Sequence, residues 1–349
     1  MRILVTGGAG FIGSHCVDQL MSQGHQLVVV DDLSSGHLDN LKKAQELALQ
    51  KKGNLEIIEA SVTNSAFWDS LAPCDGVFHF AAQTSVTSSV AYPQRDFTSN
   101  VSPVPLMFDW IRRSHVKYLV YANTAGALYG SPLVIPTDER DQILPRSPYG
   151  ATKSFFETYL GAFAAALKSS GEWSSDSKSS NYFSWISLRL GNVYGPRQTT
   201  RGEAGVIPIF LKALSEGIAP QIFGDGNKTR DYVYVDDVVT AFDRALVRLT
   251  ENSFDDSFNV GTGVETPDIE VFDAIQKSVQ SLAQDPRFAG VLSKSQKVAD
   301  PKFASIRAGE ALRSCLNCRK IDAYLNWLPQ TQFKKGVQLT ARAFAETLL

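Results

Sequence analysis

Three glycines near the start of the chain have the spacing that a phosphate-binding turn requires. Gly7, Gly10 and Gly13 follow the β-branched run Arg2–Thr6 and lead into a segment with helical apolar spacing. Glycine is needed where a side chain would block the tight turn, the approach of a pyrophosphate or the contact between helix and strand. The free N–H groups and positive dipole end of the helix would then face the phosphates. The pattern predicts a dinucleotide-binding turn.

An acidic pair at the end of the next apolar run indicates which dinucleotide would bind. Asp31 ends the run Gln26–Asp31 and lies eighteen residues after Gly13 (31 − 13). A carboxylate there can accept hydrogen bonds from both ribose hydroxyls and repels a 2′-phosphate. Asp31 and Asp32 together therefore predict NAD rather than NADP.

A tyrosine and a lysine one helical turn apart could supply a general base. Tyr149 and Lys153 stand at i and i+4 and would share one face of a helix. A tyrosine hydroxyl has a pKa of about 10 and is a poor base at neutral pH. A neighbouring ammonium and a positively charged nicotinamide favour the phenolate, which can accept a hydroxyl proton while the adjacent carbon gives up hydride. Thr124 ends the preceding apolar run and would add a hydroxyl.

The elements that must position these residues alternate between strand and helix. Helical spacing covers Phe11–Gln23 and Tyr149–Leu167. Continuous apolar runs predict buried strands at Arg2–Thr6, Gln26–Asp31, Leu55–Ala60, Gly76–Ala82, Lys117–Asn123 and Ser184–Leu190. This rhythm predicts an α/β fold with a doubly wound parallel sheet of the Rossmann type.

The pattern changes after residue 190 and predicts a smaller, discontinuous C-terminal substrate domain. Residues 191–228 are rich in Gly and Pro, and the serine-rich stretch Ser169–Asn181 before them is expected to be a surface loop. Asp231–Val235 is predicted as a strand and Asp237–Leu249 as a helix, both returning to the first domain, with Phe258–Gly261 as another short strand. The predicted division is 1–190 plus 230–262 for the NAD-binding domain and 191–229 plus 263–349 for the substrate domain.

Composition excludes several classes of function. The net charge of −2 provides no long-range attraction for nucleic acid or an anionic membrane. No run of 18 apolar residues is present, and the start of the chain lacks the pattern of a signal peptide, so we expect neither a membrane span nor a secretory leader. Cys315 and Cys318 form one CxxC pair, too few ligands for a zinc site, so we expect no metal. Reduced cysteines are typical of a cytoplasmic protein.

The motifs taken in order resemble those of the extended short-chain dehydrogenase/reductases, and most closely the UDP-glucose 4-epimerases and related nucleotide-sugar epimerases. The resemblance runs from residue 1 to about residue 335. The matching segments are TGGAGFIGSH at Thr6–His15, HFAA at His79–Ala82, NTAGALYG at Asn123–Gly130, SPYGATK at Ser147–Lys153, RLGNVYGPRQ at Arg189–Gln198 and TRDYVYVDD at Thr229–Asp237.

This resemblance implies a role for each matching residue. The residues that would bind the pyrophosphate are Gly7, Gly10, Phe11, Ile12 and Gly13. Asp31 and Asp32 would bind the ribose, and Ser61 and Val62 would lie near adenine. The remaining cofactor-binding residues would be Phe80, Ala81, Ala82, Tyr149 and Lys153. In catalysis Thr124 would bond the sugar hydroxyl, Tyr149 would be the base and Lys153 would hold the nicotinamide ribose. Substrate binding would use Thr124, Tyr149, Asn192, Arg230, Arg307 and Ser314, with paired arginines gripping a diphosphate.

The implied reaction inverts C4 of a UDP-hexose through a 4-keto sugar, with NAD kept as a resident hydride store and the chain acting as a homodimer. Ser314 would lie beside the sugar 2-position, where a small side chain leaves room for an N-acetyl group. Two departures bear on this: Ser61 replaces the usual adenine-binding Asp, and Pro103 and Pro105 must shift a helix start.

Other activities stay open at this point. They are a uronic acid epimerase, a dehydratase, a reductase that exchanges free cofactor, and a cofactor-sensing binding protein. Ala125 and Gly126 stand where dehydratases and decarboxylases carry acids, and neither can move a proton, which disfavours both. His79 lies in a buried-strand pattern and is expected to be a core residue rather than a catalytic one.

Overall fold

The computed structural model describes residues 1–51, 53–171, 173–174, 179, 181–199, 205–306 and 311–349. The strands are β1 (Arg2–Thr6), β2 (Gln26–Asp31), β3 (Leu55–Glu59), β4 (Gly76–His79), β5 (Tyr118–Thr124), β6 (Ser184–Leu190), β7 (Asn192–Tyr194), β8 (Gln221–Phe223), β9 (Thr229–Arg230), β10 (Tyr232–Tyr234), β11 (Asp255–Val260), β12 (Thr266–Pro267) and β13 (Lys302–Ala304).

The helices alternate with these strands through the first half and dominate the second. They are α1 (Phe11–Ser22), α2 (Lys42–Lys51), α3 (Ser65–Ser70), α4 (Val86–Ala91), α5 (Pro93–Asn100), α6 (Pro103–Arg113), α7 (Ala125–Tyr129), α8 (Pro148–Ser169), α9 (Val206–Ser215), α10 (Val235–Glu251), α11 (Asp268–Leu282), α12 (Arg319–Leu325) and α13 (Phe333–Glu346), with 3-10 turns at Leu38–Leu41 and Ser293–Lys297. None of the helices within the described ranges is both long and apolar enough to cross a bilayer.

Seven strands form one parallel sheet in the order β11-β6-β5-β4-β1-β2-β3. The strand order reverses between β1 and β4, where Thr6 lies opposite Val30 on one side and His79 on the other. In doubly wound sheets, ligands bind outside the carboxyl ends of the strands at such a switch point. The predicted fold class is confirmed, and the sheet places the glycine turn and Thr124 at one edge.

Helices cover both faces of this sheet, which explains why its central strands are apolar throughout. On one face, Val17 and Leu20 of α1 and Phe242 of α10 join an apolar cluster against the sheet. On the other face, Trp110 of α6 and Phe156 of α8 belong to a second cluster. Each such large side chain contributes roughly 1.5–3 kcal/mol through burial.

A third apolar cluster lies outside the sheet and is assembled from separate stretches of chain. Its members come from β7, α9, α11 and α13, and include Tyr194, Phe210, Phe272 and Val337. Three short strand pairs, β10-β7, β12-β9 and β13-β8, accompany it. The second half of the chain is therefore built by contacts between segments far apart in sequence.

Two predicted elements differ from the structure. The strand predicted over Asp231–Val235 is the shorter β10, which pairs with β7 while its Val233 packs in the apolar cluster that contains α1. The following helix begins at Val235 rather than Asp237, with Asp236 and Asp237 in its first turn, where carboxylates are favourable. That helix, α10, does return to the first half and packs against α1.

Candidate active site

A cleft of about 860 Å³ lies at the carboxyl edge of the sheet. Each cofactor residue predicted from the sequence contributes to its lining, together with Thr124, Tyr149, Lys153 and Asn192. Arg307 lies outside the described residues. Arg230 and Ser314 belong to the described part of the chain and do not line this cleft. The structure therefore brings the nucleotide motif and the Tyr–Lys pair into one cavity, although they are more than a hundred residues apart.

The glycine turn is shaped so that only glycine fits at its tightest points. Gly7 has φ +68°, and a Cβ there would lie 2.6 Å from Ala81 N. A Cβ on Gly13 would lie 2.3 Å from Gly7 O. Such distances are not tolerated between a side chain and backbone, so both positions must lack a Cβ. The resulting backbone cradle lines the cleft at the start of α1, which is the geometry that a bound pyrophosphate requires.

Asp31 is held by backbone donors at the mouth of this cradle. Its Oδ2 accepts from Ala9 N at 2.9 Å, and its Oδ1 accepts from Leu33 N at 2.9 Å. Burial raises the pKa of Asp31 above its ordinary value, and these hydrogen bonds oppose that rise. The carboxylate is thus pre-oriented against the cleft, as an acceptor for ribose hydroxyls needs to be.

The loop that follows Asp31 closes onto the same turn, a feature that the sequence motif does not reveal. Asn40 Nδ2 donates to Ala9 O at 2.8 Å, and His37 N donates to the same carbonyl at 3.0 Å. At the far end of the cleft, Ser61 Oγ lies 2.9 Å from Thr63 Oγ1. A hydroxyl pair therefore stands where the related enzymes are expected to carry a carboxylate.

Tyr149 and Lys153 are placed by the first turns of α8. Ser147 begins this helix by accepting a hydrogen bond from Gly150 N at 3.1 Å. A Cβ on Gly150 would lie 2.4 Å from Ala127 O, so this glycine allows α8 to pack closely on α7. Tyr149 is 9% exposed and Lys153 is 5% exposed, so both are buried against the sheet while lining the cleft.

The ammonium of Lys153 is enclosed beneath the cleft. Its Nζ donates to Ala122 O at 2.7 Å and lies 4.2 Å from the centre of the Tyr121 ring. Burial lowers the pKa of Lys153 to about 7, although the negative charges of Glu157 and Asp96 raise it in part. A lysine that can shed its proton near neutral pH is unusual and is typical of functional sites.

Thr124 ends β5 at the same edge of the sheet, as predicted. Its backbone N donates to Asn123 Oδ1 at 2.9 Å. Asn123 Nδ2 in turn donates to Glu157 Oε2 at 2.8 Å, one helical turn beyond Lys153. The buried side-chain amide of Asn123 therefore connects the backbone of Thr124 to the carboxylate of Glu157.

A buried ion pair anchors this arrangement, and the sequence reading missed it. Arg189 Nη2 lies 2.5 Å from Glu157 Oε1, with both side chains less than 10% exposed. Ser187 Oγ donates to Glu157 Oε2 at 2.6 Å, and Arg189 Nη1 donates to Tyr129 Oη at 2.8 Å. Burial would raise the pKa of Glu157, but its hydrogen bonds and the charge of Arg189 hold it below its ordinary value.

His79 is a core residue, as predicted. It is 4% exposed, and its Nδ1 lies 2.7 Å from Thr6 Oγ1. Its ring stacks on Tyr121 and Phe156. Burial lowers the pKa of His79 to about 3, with a smaller contribution from the charge of Lys153. His79 is therefore neutral at physiological pH and remains part of the sheet packing.

The predicted substrate residues occupy three separate segments. Asn192 begins β7 with an exposed side chain in the cleft. Arg230 lies in β9, where its Nη1 donates to Thr229 O at 2.8 Å. Ser314 Oγ lies 4.0 Å from the position that a Cβ on Gly126 would occupy. Gly126 is two residues after Thr124, so Ser314 lies near the carboxyl end of β5.

A buried carboxylate joins these segments. Asp231 is 1% exposed and accepts from Thr262 N, Thr262 Oγ1, Gly263 N and Leu316 N at 2.6–3.1 Å. Burial raises the pKa of Asp231, and these four donors oppose the rise. The same residue's backbone O accepts from Asn192 N at 2.7 Å. Asp231 therefore connects β7, through Asn192, to the segment after Ser314, through Leu316.

The chain is similar to known proteins along nearly its whole length. Residues 3–261 match the model of the NAD dependent epimerase/dehydratase family. The chain belongs to this family. A UDP-glucose 4-epimerase from Mycolicibacterium smegmatis is 38% identical over 346 residues, covering 99% of this chain and 98% of the relative. The family's NAD dependence confirms the predicted cofactor, and the predicted resemblance is confirmed as well.

Two solved structures of family members share the fold along the whole chain. A UDP-glucose 4-epimerase from Thermotoga maritima, solved with UDP-glucose, superposes with a TM-score of 0.84 at 35% identity and covers 100% of both chains. A UDP-N-acetylglucosamine 4-epimerase from Methanobrevibacter ruminantium, solved with UDP-N-acetylmuramic acid, gives a TM-score of 0.82 at 29% identity and covers 99% of this chain and 98% of its own.

Proposed function

We propose that this member of the family is an epimerase that inverts C4 of a UDP-hexose through a 4-keto sugar. The observation that carries the proposal is the shared cleft, in which Thr124, Tyr149 and Lys153 stand beside the glycine cradle and Asp31. Bound NAD would accept the C4 hydride and return it to the opposite face of the sugar. UDP-glucose 4-epimerases that align over nearly the whole chain support the same reaction.

In this proposal Tyr149 moves the proton of the sugar hydroxyl at O4. The cationic form of Lys153, four residues along α8, favours the tyrosinate by electrostatic attraction. Thr124 donates or accepts a hydrogen bond at the same hydroxyl, because β5 ends at this edge of the cleft. Ala125 and Gly126 offer no acid beyond Thr124, which disfavours the dehydratase alternative.

The nucleotide end would be held while the sugar turns. We assign Asn192, Arg230 and Arg307 to the UDP moiety, since a guanidinium presents a rigid fork of donors to a phosphate. A free sugar ring is required because both of its faces must meet the hydride position in turn. Binding energy therefore has to come mainly from the nucleotide.

An assay without added cofactor tests this proposal. The purified chain is incubated with UDP-galactose alone, and UDP-glucose is quantified by chromatography, with Tyr149→Phe as the control for a contaminating activity. We expect product with no NAD added, because the resident cofactor is regenerated in every cycle. Turnover only with a stoichiometric change in NADH would instead indicate a dehydrogenase, and no turnover with NAD still bound would indicate a sensor.

We also infer that Ser314 leaves room for an N-acetyl group at the sugar 2-position. Its placement near Gly126, beside the end of β5, supports this, as does the likeness to a UDP-N-acetylglucosamine 4-epimerase. Ser314→Tyr should abolish turnover of UDP-N-acetylglucosamine and spare UDP-glucose, with Ser314→Ala as the small-residue control. Equal loss on both sugars would contradict the inference.

We further propose the division into an NAD-binding part (1–190 plus 230–262) and a substrate part (191–229 plus 263–349), acting in the cytoplasm as a homodimer. Exposed aromatic side chains support the dimer: Phe97 of α5 is 56% exposed, and Phe155 and Tyr159 of α8 are 40% and 37% exposed. The helices α5 and α8 pack together, and the rings of Phe155 and Tyr159 lie 5.6 Å apart. Phe97→Asp should convert the dimer to monomer in sedimentation analysis, whereas Leu49→Asp on α2 should not.

A further inference from the structure

The short loop Gly195–Gln198, the end of the segment RLGNVYGPRQ, contacts helix α1 through three side chains. Arg197 Nη2 donates to Asp18 Oδ2 at 2.7 Å, and Arg197 Nη1 donates to Ser14 Oγ at 3.2 Å. His15 Nε2 lies 3.0 Å from Pro196 O, to which it can donate a hydrogen bond. Three contacts from two successive turns of α1 therefore connect residues about 180 positions apart along the chain, at the helix that follows the glycine turn.

The backbone of Arg197 has a conformation that is unfavourable for an arginine. Arg197 has φ +66°, in the left-handed region that residues other than glycine rarely adopt. The preceding Gly195 supplies the freedom for the bend with φ +157°. An arginine retained in this conformation must be compensated by what its guanidinium contacts.

The partner of Arg197 is itself unusual. The side chain of Asp18 is 6% exposed, and its Oδ1 has no hydrogen-bond partner among the residues that the structure describes. Burial raises the pKa of Asp18, which the charges of Arg197 and, at 3.8 Å, Lys43 oppose. A buried carboxylate of this kind is costly without its cation, so the pair orients Arg197 firmly.

Arg197 also lines the cofactor cleft. It lines the same cavity as Gly10 and Gly13. Helix α1 presents its amino end to this part of the cavity, where a pyrophosphate would place two negative charges. A fixed guanidinium beside that end adds a full positive charge to the partial charge of the helix.

We propose that Arg197 is a further cofactor-binding residue, which Asp18 and Ser14 hold across the cradle so that loop Gly195–Gln198 slows the release of NAD. The inference rests on the NAD dependence of the family and, for its purpose, on the proposed function. An epimerase must keep NAD bound between the two hydride transfers, so slow release is a requirement of the reaction. Because β7 leads directly into the loop, the same clasp connects the strand bearing Asn192 to the cofactor helix.

The experiment measures NAD release directly, with no sugar present. Wild-type chain, Arg197→Ala and Arg197→Lys are purified, loaded with radiolabelled NAD, and chased with excess unlabelled NAD while bound label is followed by rapid filtration. We expect Arg197→Ala to release NAD at least ten times faster than wild type. Arg197→Lys should fall between the two, because a lysine keeps the charge but loses the fork.

A matched control keeps the result specific. Arg113 of α6 forms an ion pair with Asp69 of α3 at 3.1 Å and does not line the cleft. Arg113→Ala should therefore leave the rate of NAD release unchanged. If Arg197→Ala fails to fold, as judged by circular dichroism, Ser14→Ala removes only one hydroxyl of the clasp and should still raise the release rate about threefold. Wild-type release rates in folded Arg197→Ala or Ser14→Ala would overturn the inference.

The outcome is separable from that of the proposed function. A chain that releases NAD slowly, and faster when Arg197 is replaced, supports the clasp even if no sugar is epimerised. A chain that epimerises UDP-galactose but shows unchanged NAD release in the variants contradicts the clasp alone.

Discussion

The two sides of the cleft are built from the chain in different ways. The phosphate and ribose part of the cofactor side comes from one continuous stretch, in which the glycine turn, α1 and β2 follow each other within the first 31 residues. The proposed substrate residues Asn192, Arg230 and Ser314 come from separate segments, which Asp231 connects, and of the three Asn192 lines the cleft. Local backbone geometry therefore defines the first side, whereas long-range hydrogen bonds define the second. Tyr149 and Thr124 lie where the sides meet.

The strongest test of this comparison is at that junction. Tyr149→Phe removes one hydroxyl and leaves the ring that packs against the sheet, so kcat should fall by roughly 10²–10⁴. Bound NAD, measured after denaturing the protein, should stay near the wild-type amount because the glycine cradle and Asp31 are untouched. Loss of NAD together with activity would contradict the division between the two sides.

The next largest effect should be confined to the substrate side. Asp231→Asn weakens four hydrogen bonds at one buried point, so the free energy of unfolding should fall by about 1–3 kcal/mol. KM for the UDP-sugar should rise while the rate of NAD release stays unchanged. Chemical denaturation and steady-state kinetics measure both, with Asp225→Asn in an exposed turn as control. Faster NAD release in Asp231→Asn would show that the sides are not independent.

A third test uses acid to probe the sheet beneath the cofactor side. The pKa of His79 is lowered to about 3 by burial, whereas the unfolded chain binds this proton near the ordinary value of 6.5. The unfolded state therefore binds more protons between these values, and stability falls as pH drops below about 6.5. The contribution of His79 is about 1.4 kcal/mol per pH unit.

His15, with its pKa lowered to about 4 by burial, adds a similar slope over the upper part of that range. Urea denaturation from pH 7 to pH 4.5 should therefore show that the free energy of unfolding falls as the pH falls. His79→Asn should reduce the slope of this free energy against pH by the equivalent of about one proton. Replacement of the exposed His37 is the matched control. An unchanged slope in His79→Asn would mean that the proton uptake arises elsewhere.

The smallest expected effect sharpens the cofactor side itself. Ser61→Asp places a carboxylate at the adenine end of the cleft, where Ser61 now contacts Thr63. One added hydrogen bond should tighten NAD binding by about 1 kcal/mol, roughly fivefold, in calorimetry with the apo chain. Thr63→Asp, two residues away, tests whether the position matters. Weaker binding in Ser61→Asp would indicate that the adenine is held in another way.

The elements that were predicted best are those whose own residues determine their conformation. The strands Arg2–Thr6, Gln26–Asp31 and Ser184–Leu190 were predicted with the bounds found in the structure, because a strand buried on both faces is continuously apolar. The break between α5 and α6 also follows from sequence, since a helix begins at Pro103 as the prolines require. In both cases the signal lies within the element itself.

Prediction failed where partners are distant. Strand β10 has no local sign that it pairs with β7 rather than with the large sheet. Glu157 was also missed, although one signal was present: Arg189 is the one charged residue of the buried strand SWISLRL, and a buried arginine requires a carboxylate partner. Asking where that partner lies would have pointed to a helix packed on β6. No comparable signal marks Asp231 or Arg197.

The strand order has a consequence for the growing chain. Strand β6 is buried along its whole length and pairs on its outer side with β11, which ends at residue 260. Until the ribosome has added those residues, the hydrogen-bonding groups of that edge remain unpaired beside completed neighbours. A translating chain therefore carries an open strand edge while residues 191–254 emerge, and such edges attract other chains. We expect this interval, rather than the finished molecule, to be where nascent chains most need protection from aggregation.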